Sequence, residues 1–170
     1  KVKLLDTTDR HYIAKVGVQA KRDIGPKEFF SDMQSYNILD KESLDVILTG
    51  QSEQGNKITK TYSFKKNSHL IKIKQQIKNV TSGTTFWRQF ATLERGEEKN
   101  QKRLLYTYTG AAYYDEDEKF TKIDFDEIAE SNLILPLNSG WISMLEHYFL
   151  TAWIPYDDNE KQNSTLYTRH

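Results

Sequence analysis

Polar and apolar residues alternate along much of this chain, and the alternation predicts strands. Ile71, Ile73 and Ile77 share one side with Gln75 between them, while Lys72, Lys74, Gln76 and Lys78 take the other. That is the period-2 pattern of a half-buried strand with a wet, basic face. Just before it, Ile58, Tyr62 and Phe64 alternate with Thr59, Thr61 and Ser63. Lys66-Asn67 supplies a turn, so residues 57–80 read as a hairpin. Leu44, Val46 and Leu48 alternate with Asp45, Ile47 and Thr49, and the stretch from Gln51 to Asn56 with Gly55 forms the next turn. Three antiparallel strands in succession make a meander. Thr84 to Leu93 predicts a further strand, with Lys3 to Leu5, Tyr12 to Val18 and Leu104 to Tyr108 as weaker ones and Glu94 to Arg103 as a charged loop. Lys27 to Asp40 is the best helix candidate, with Pro26 at its first turn and Phe30, Met33 and Ile38 loosely spaced. Asp126 to Ser131 fits one helical turn. Many short strands separated by turns imply a mostly β sandwich or barrel, and the lack of long amphipathic helices argues against a parallel α/β fold.

Composition narrows the class further. At 170 residues the chain suits a single domain, residues 1–170, with one core. Its 24 basic and 24 acidic side chains cancel, which excludes a strongly basic nucleic-acid binder and an acidic disordered tail. Aromatic residues at 12% argue against disorder, and the absence of Cys removes disulfides and thiolate metal sites. The longest apolar stretch, Trp141 to Ile154, is broken by Ser143, Glu146, His147 and Thr151 and falls short of a membrane span. The chain begins mid-pattern without Met and reads as a piece of a longer protein.

Candidate chemistry is sparse. No GxGxxG or GxxxxGK[ST] motif occurs, so a nucleotide cradle is not expected. His11, His69, His147 and His170 stand apart, outside HxH or HExxH patterns, and read as locally satisfied histidines. Asp115-Glu116-Asp117-Glu118 lacks the Gly and spacing of an EF-hand loop and reads as a solvated acidic turn rather than a Ca²⁺ site. Without Cys or G-x-S-x-G no nucleophilic triad is visible. Lys60, Lys65, Lys66, Lys72, Lys74 and Lys78 predict a basic hairpin face, either an exposed strand face guarded by Lys or a contact for acidic lipid or protein. Asn79-Val80-Thr81 and Asn163-Ser164-Thr165 match the glycosylation pattern, which matters only in a eukaryotic secretory setting. The aromatic group Trp141, Tyr148, Phe149 and Trp153, with Tyr113 and Tyr114 upstream, supplies core and candidate anchors for a partner or ligand.

Three segments carry a resemblance: Gly110-Ala111-Ala112-Tyr113, then Phe125-Asp126 through Ala129, then Gly140-Trp141 through Trp153-Ile154-Pro155. In order and spacing they resemble the large periplasmic domain of bacterial membrane protein insertases of the YidC/Oxa/Alb family. The meander from Gly55 to Phe64 resembles the midsection of that domain, and residues 1–40 match loosely. The resemblance implies a β-supersandwich like that of galactose mutarotase, truncated at both ends. It also implies a periplasmic, membrane-tethered position, the Sec translocon, SecDF and nascent membrane proteins as partners, and no cofactor or catalytic residue. The insertase groove itself lies in membrane helices absent from this sequence. The expected function is therefore a non-enzymatic accessory domain. Its partner surface would draw on Tyr113, Tyr114, Asp115, Glu116, Trp141, Tyr148 and Trp153, aromatic anchors beside an acidic rim. A sugar- or peptide-binding supersandwich module is the alternative, and a mutarotase-type enzyme using His147 with an unidentified Glu is the third reading.

Overall fold

In chain order the strands are β1 (Tyr12–Ala20), β2 (Asp23–Ile24), β3 (Ser43–Gln51), β4 (Lys57–Lys65), β5 (Ile71–Lys78), β6 (Trp87–Arg95), β7 (Gly110–Asp115) and β8 (Lys119–Ile123). Helix α1 (Phe125–Glu130) follows, then β9 (Ile134–Asn138), β10 (Trp141–Glu146), β11 (Phe149–Trp153) and β12 (Asn163–Tyr167). The computed structural model describes residues 5–7, 11–96, 108–146, 148–156 and 163–170. The fold is mostly β, as the alternation predicts, with antiparallel pairing throughout, one short helix and no closed barrel among the described residues. Much of the predicted Lys3 to Leu5 and Leu104 to Tyr108 strands and of the charged loop lies outside these residues, as does His147. The chain forms two compact units, a central one of Val16–Phe90 and a terminal one of Lys1–Lys15 with Ala91–His170.

The central unit is built on the predicted meander, in the order β3-β4-β5. Its register pairs Val46 with Tyr62 and Tyr62 with Ile73, so Leu44, Val46, Leu48, Ile58, Phe64, Ile71, Ile73 and Ile77 share one face. That face turns toward the Val16–Ala20 half of β1. Ile58 is fully buried, and Val16 and Val18 are buried with it. Lys60 shares this face, which corrects its expected place on the basic surface. It is 8% exposed, donates from Nζ to the Val16 carbonyl at 2.6 Å, and sits 4.1 Å from the Phe29 ring centroid. Burial holds its pKa below the ordinary lysine value.

Asp23 ties the loops of this unit together. Its buried carboxylate accepts from Ser52 Oγ at 2.7 Å, Asn56 Nδ2 at 2.7 Å and the Gln54 backbone N–H at 3.1 Å. Asn56, itself fully buried, accepts from the Val80 N–H at 2.8 Å, so one side chain joins the β3–β4 turn to the segment after β5. Gly55, at φ 87°, provides the left-handed residue that lets this turn close.

The helix expected over Lys27–Asp40 does not form. Phe30 instead exchanges backbone hydrogen bonds with Thr49 of β3, at 2.9 and 2.8 Å. Ser31 Oγ accepts from the Met33 N–H and meets the Tyr36 hydroxyl, while Asn37 Oδ1 accepts from the Leu39 N–H. These local side-chain bonds compete with helical ones. The apolar residues offer no compensating buried face, because Phe30, Met33 and Leu39 are all exposed.

In the terminal unit a four-stranded sheet, β11-β10-β7-β8, packs against α1 and the β12-β9 ribbon. Its core joins Tyr113, Ile123, Ile128, Leu137 and Leu166, with Ala111, Phe125, Leu133, Leu135 and Ile142 around it. Helix α1 begins at Phe125, one residue before the expected Asp126. The Glu127 carboxylate reaches back to the Asp124 N–H at 3.1 Å, and Ile128 supplies its one buried side chain.

For Asp23, burial alone pushes the carboxyl up, but the bonds from Ser52, Asn56 and Gln54 outweigh it and leave the pKa below the usual carboxylate value. The stabilisation is therefore full above the unfolded carboxylate pKa of about 3.9 and is lost as pH falls through the lower folded value. Asp23→Ala is expected to lower stability at pH 7 by about 3 kcal/mol, because it strands buried donors. It should also flatten the decline below about pH 4. Urea unfolding across pH 2.5–7 checks both, and an unchanged acid limb would refute the assignment.

Candidate functional site

Strand β7 lies at the centre of the terminal sheet, hydrogen-bonded to β10 on one side and β8 on the other. Neighbouring residues on a strand point to opposite faces. Tyr113, 5% exposed, therefore enters the core, while Tyr114 faces the other way. Register places Trp141 of β10 and Phe120 of β8 directly opposite Tyr114 on its two sides. The Tyr114 and Trp141 rings stack with centroids 6.0 Å apart and planes within 11°, and Phe120 lies 6.0 Å from Trp141 at a tilt of 43°. Tyr114 and Trp141 are half-buried and Phe120 is 48% exposed, so the three rings make an aromatic strip that stays accessible.

An acidic turn borders the strip. Asp115 is buried and spends its carboxylate on the β7–β8 connection, its Oδ1 accepting from the Asp117 N–H at 2.9 Å and the Glu118 N–H at 2.6 Å. Glu116, Asp117 and Glu118 stay exposed. Lys119 takes the left-handed conformation at φ 59° that ends such three-residue connections, and its Nζ donates to the Glu116 carbonyl at 2.5 Å. Among the described residues no group of His, Asp and Glu is placed to hold a metal ion.

The remaining expected site residues stand elsewhere. Trp153 is half-buried on the Tyr113 side of the sheet, opposite Ile142, and its Nε1 donates to the Thr92 carbonyl of β6 at 2.9 Å. Tyr148 occupies the β10–β11 turn, at the far end of β10 from Trp141, 84% exposed and at φ 73°. A bulky side chain in the left-handed region is uncommon and strained. Beside that turn Glu146 forms a buried ion pair with Arg95 at 3.1 Å, each side chain 9% exposed. The structure thus brings Tyr114 and Trp141 together beside the turn that holds Asp115 and Glu116, and directs Tyr113, Trp153 and Tyr148 to other places.

Sequence reasoning assigns no role to Phe120 and names Gly140 only within a segment that carries the resemblance, without its packing role. The signal for Phe120 was present, since a tight hairpin through the acidic turn brings it opposite Tyr114. Gly140 has no such signal. A Cβ there would collide with the Tyr114 carbonyl, so only glycine lets the chain enter β10 against β7. Gly140→Ala is expected to lower stability by about 3 kcal/mol and to separate the Tyr114–Trp141 stack. Urea unfolding followed by near-ultraviolet circular dichroism reads both effects, and a variant matching the parent in both would contradict the contact.

The family model described as the YidC periplasmic domain matches residues 1–170. The chain is 32% identical over 161 residues to a protein of Pseudoalteromonas atlantica named membrane protein insertase YidC, covering 93% of this chain and 29% of that protein. It is 32% identical over 180 residues to the protein of that name from Thioalkalivibrio sulfidiphilus, covering 99% and 31%. A third, from Methylococcus capsulatus, is 37% identical over 132 residues, covering 76% and 24%. The chain spans less than a third of the length of these curated relatives.

Proposed function

The chain belongs to the YidC periplasmic domain family, and from that premise we propose that it is a non-catalytic accessory domain of a membrane protein insertase, placed on the periplasmic face of the bacterial inner membrane. It aids the insertion and folding of inner-membrane proteins by holding a partner. The partners proposed are the Sec translocon and its SecDF component, with nascent membrane proteins handled by the membrane-embedded part of the full protein. The family match over residues 1–170 supports treating the whole chain as one domain piece.

One observation carries the partner reading: the accessible Tyr114–Trp141–Phe120 strip beside the exposed carboxylates of Glu116, Asp117 and Glu118. An apolar anchor with a charged rim is the composition of a protein–protein contact, in which aromatic side chains contribute most of the energy. Tyr113 and Asp115 support the strip from behind, one by filling the core and the other by fixing the turn. The exposed, strained Tyr148 marks a second contact point on the same sheet.

In the full-length protein, a photo-crosslinking residue at position 120 is expected to capture SecDF or a translocon subunit, whereas one at the exposed Leu39 is not. Phe120→Ala is expected to weaken SecDF binding by about tenfold or more with an unchanged urea midpoint. Equal capture from both positions, or unaltered binding by the variant, would remove the strip from the partner surface.

A further inference from the structure

The central unit presents a second surface that the aromatic strip does not use. Pairing register puts Lys57 and Lys65 of β4 and Lys72, Lys74 and Lys78 of β5 on one face of the meander, and all five are exposed. Thr49, Thr59, Thr61, Ser63 and Gln76 lie in the rows between them together with the exposed Ile47, and Asp45 is the one acid that β3, β4 and β5 place there. The chain is neutral as a whole, yet its charge is divided. Residues Val16–Phe90 hold twelve basic side chains against seven acidic, and the rest holds twelve against seventeen.

Lysines commonly guard an open sheet edge. That accounts for Lys72, Lys74 and Lys78, since β5 is an edge strand, but not for Lys57 and Lys65, since β4 is the central one. From Lys57 to Lys65 the basic face runs about 27 Å, at about 3.4 Å per residue. The five lysines are joined by no arginine on these strands. Ammonium groups on flexible stems act as point charges and impose no fork geometry on what they meet. Hydroxyls between them offer donors to phosphate oxygens. Spread over the pleated face of a sheet, this arrangement matches a plane of negative charge better than it matches a peptide, which binds through pockets for particular side chains.

We infer that this lysine face docks the central unit onto a bilayer surface bearing anionic phospholipid headgroups. Charge complementarity favours this occupant, and the inference rests on the proposed function as a domain of a membrane protein insertase. Each lysine near such a surface changes binding by about fivefold, so the five together provide a salt-sensitive attachment. The attachment would orient the central unit at the bilayer.

The 170-residue chain is tested by co-sedimentation with vesicles of phosphatidylcholine alone and of phosphatidylcholine with phosphatidylglycerol. Binding is expected to the anionic vesicles only and to disappear in high salt. Lys74→Glu with Lys78→Glu should weaken it by about tenfold or more. Lys21→Glu with Arg22→Glu, an equal change of charge in the same unit but off this face, should weaken it far less. Circular dichroism confirms that both double variants are folded, and Lys57→Gln with Lys65→Gln serves as a milder second pair. Equal loss from the two double variants would reduce the effect to net charge and overturn the proposal. Binding to polyglutamate without binding to vesicles would assign the face to an acidic protein instead. Competition by millimolar inorganic phosphate would point to a discrete phosphate site rather than a docking plane.

Discussion

A β-strand cannot show two neighbouring side chains to the same side, and the terminal sheet is organised by that constraint. Tyr113 and Tyr114 are adjacent in sequence, so one must be core and the other must be surface. Because β7 is paired on both edges, its register also chooses the companions of each ring. Ile142 and Thr121 stand beside Tyr113, and Trp141 and Phe120 beside Tyr114. The aromatic strip is therefore a consequence of how the core is filled. A shift of β7 by one residue would bury Tyr114 and expose Tyr113, and would dismantle core and strip together.

The same rule sorts charge in the central unit. Period-2 alternation sends the isoleucines of β5 inward and its lysines outward. Lys60 is the exception that shows the strength of register over side-chain preference. It stands between Thr59 and Thr61 on the inward side, where a backbone carbonyl and an aromatic ring compensate for its lost hydration. The Asp23–Asn56 network adds rigidity where the sheet has none to offer, in the loops beyond the strand ends. Hydrogen bonds to a buried carboxylate replace there the packing that a small unit cannot supply.

Each unit thus carries its own kind of surface, aromatic with an acidic rim in one and basic and hydroxyl-lined in the other. Chemically distinct surfaces of this kind would suit the proposed function, in which one surface meets a protein partner and the other an anionic bilayer. The segregation of acids and bases within a neutral chain is what keeps these two surfaces apart in character.

The strands of the meander, the hairpin through Lys66-Asn67 and the short helix at α1 were legible in the sequence, because local alternation and turn chemistry specify them without help from distant residues. So was the concentration of aromatic residues around β10. The Lys27–Asp40 segment is not a helix because its apolar spacing is only loosely helical and its backbone finds partners in β3 and in its own Ser31 and Asn37 side chains. The β9–β12 ribbon has no local signal, because its strands pair across the 24 residues that lie between Asn138 and Asn163. Sequence alone determined which residues alternate, turn and carry charge, since these are properties of neighbours along the chain. Tertiary structure alone decided that Phe120 meets Trp141, that Gly140 must lack a side chain, and that Lys60 is buried while Lys57 and Lys65 are not. Those outcomes depend on register between strands, and register is fixed by the shared core rather than by any one segment.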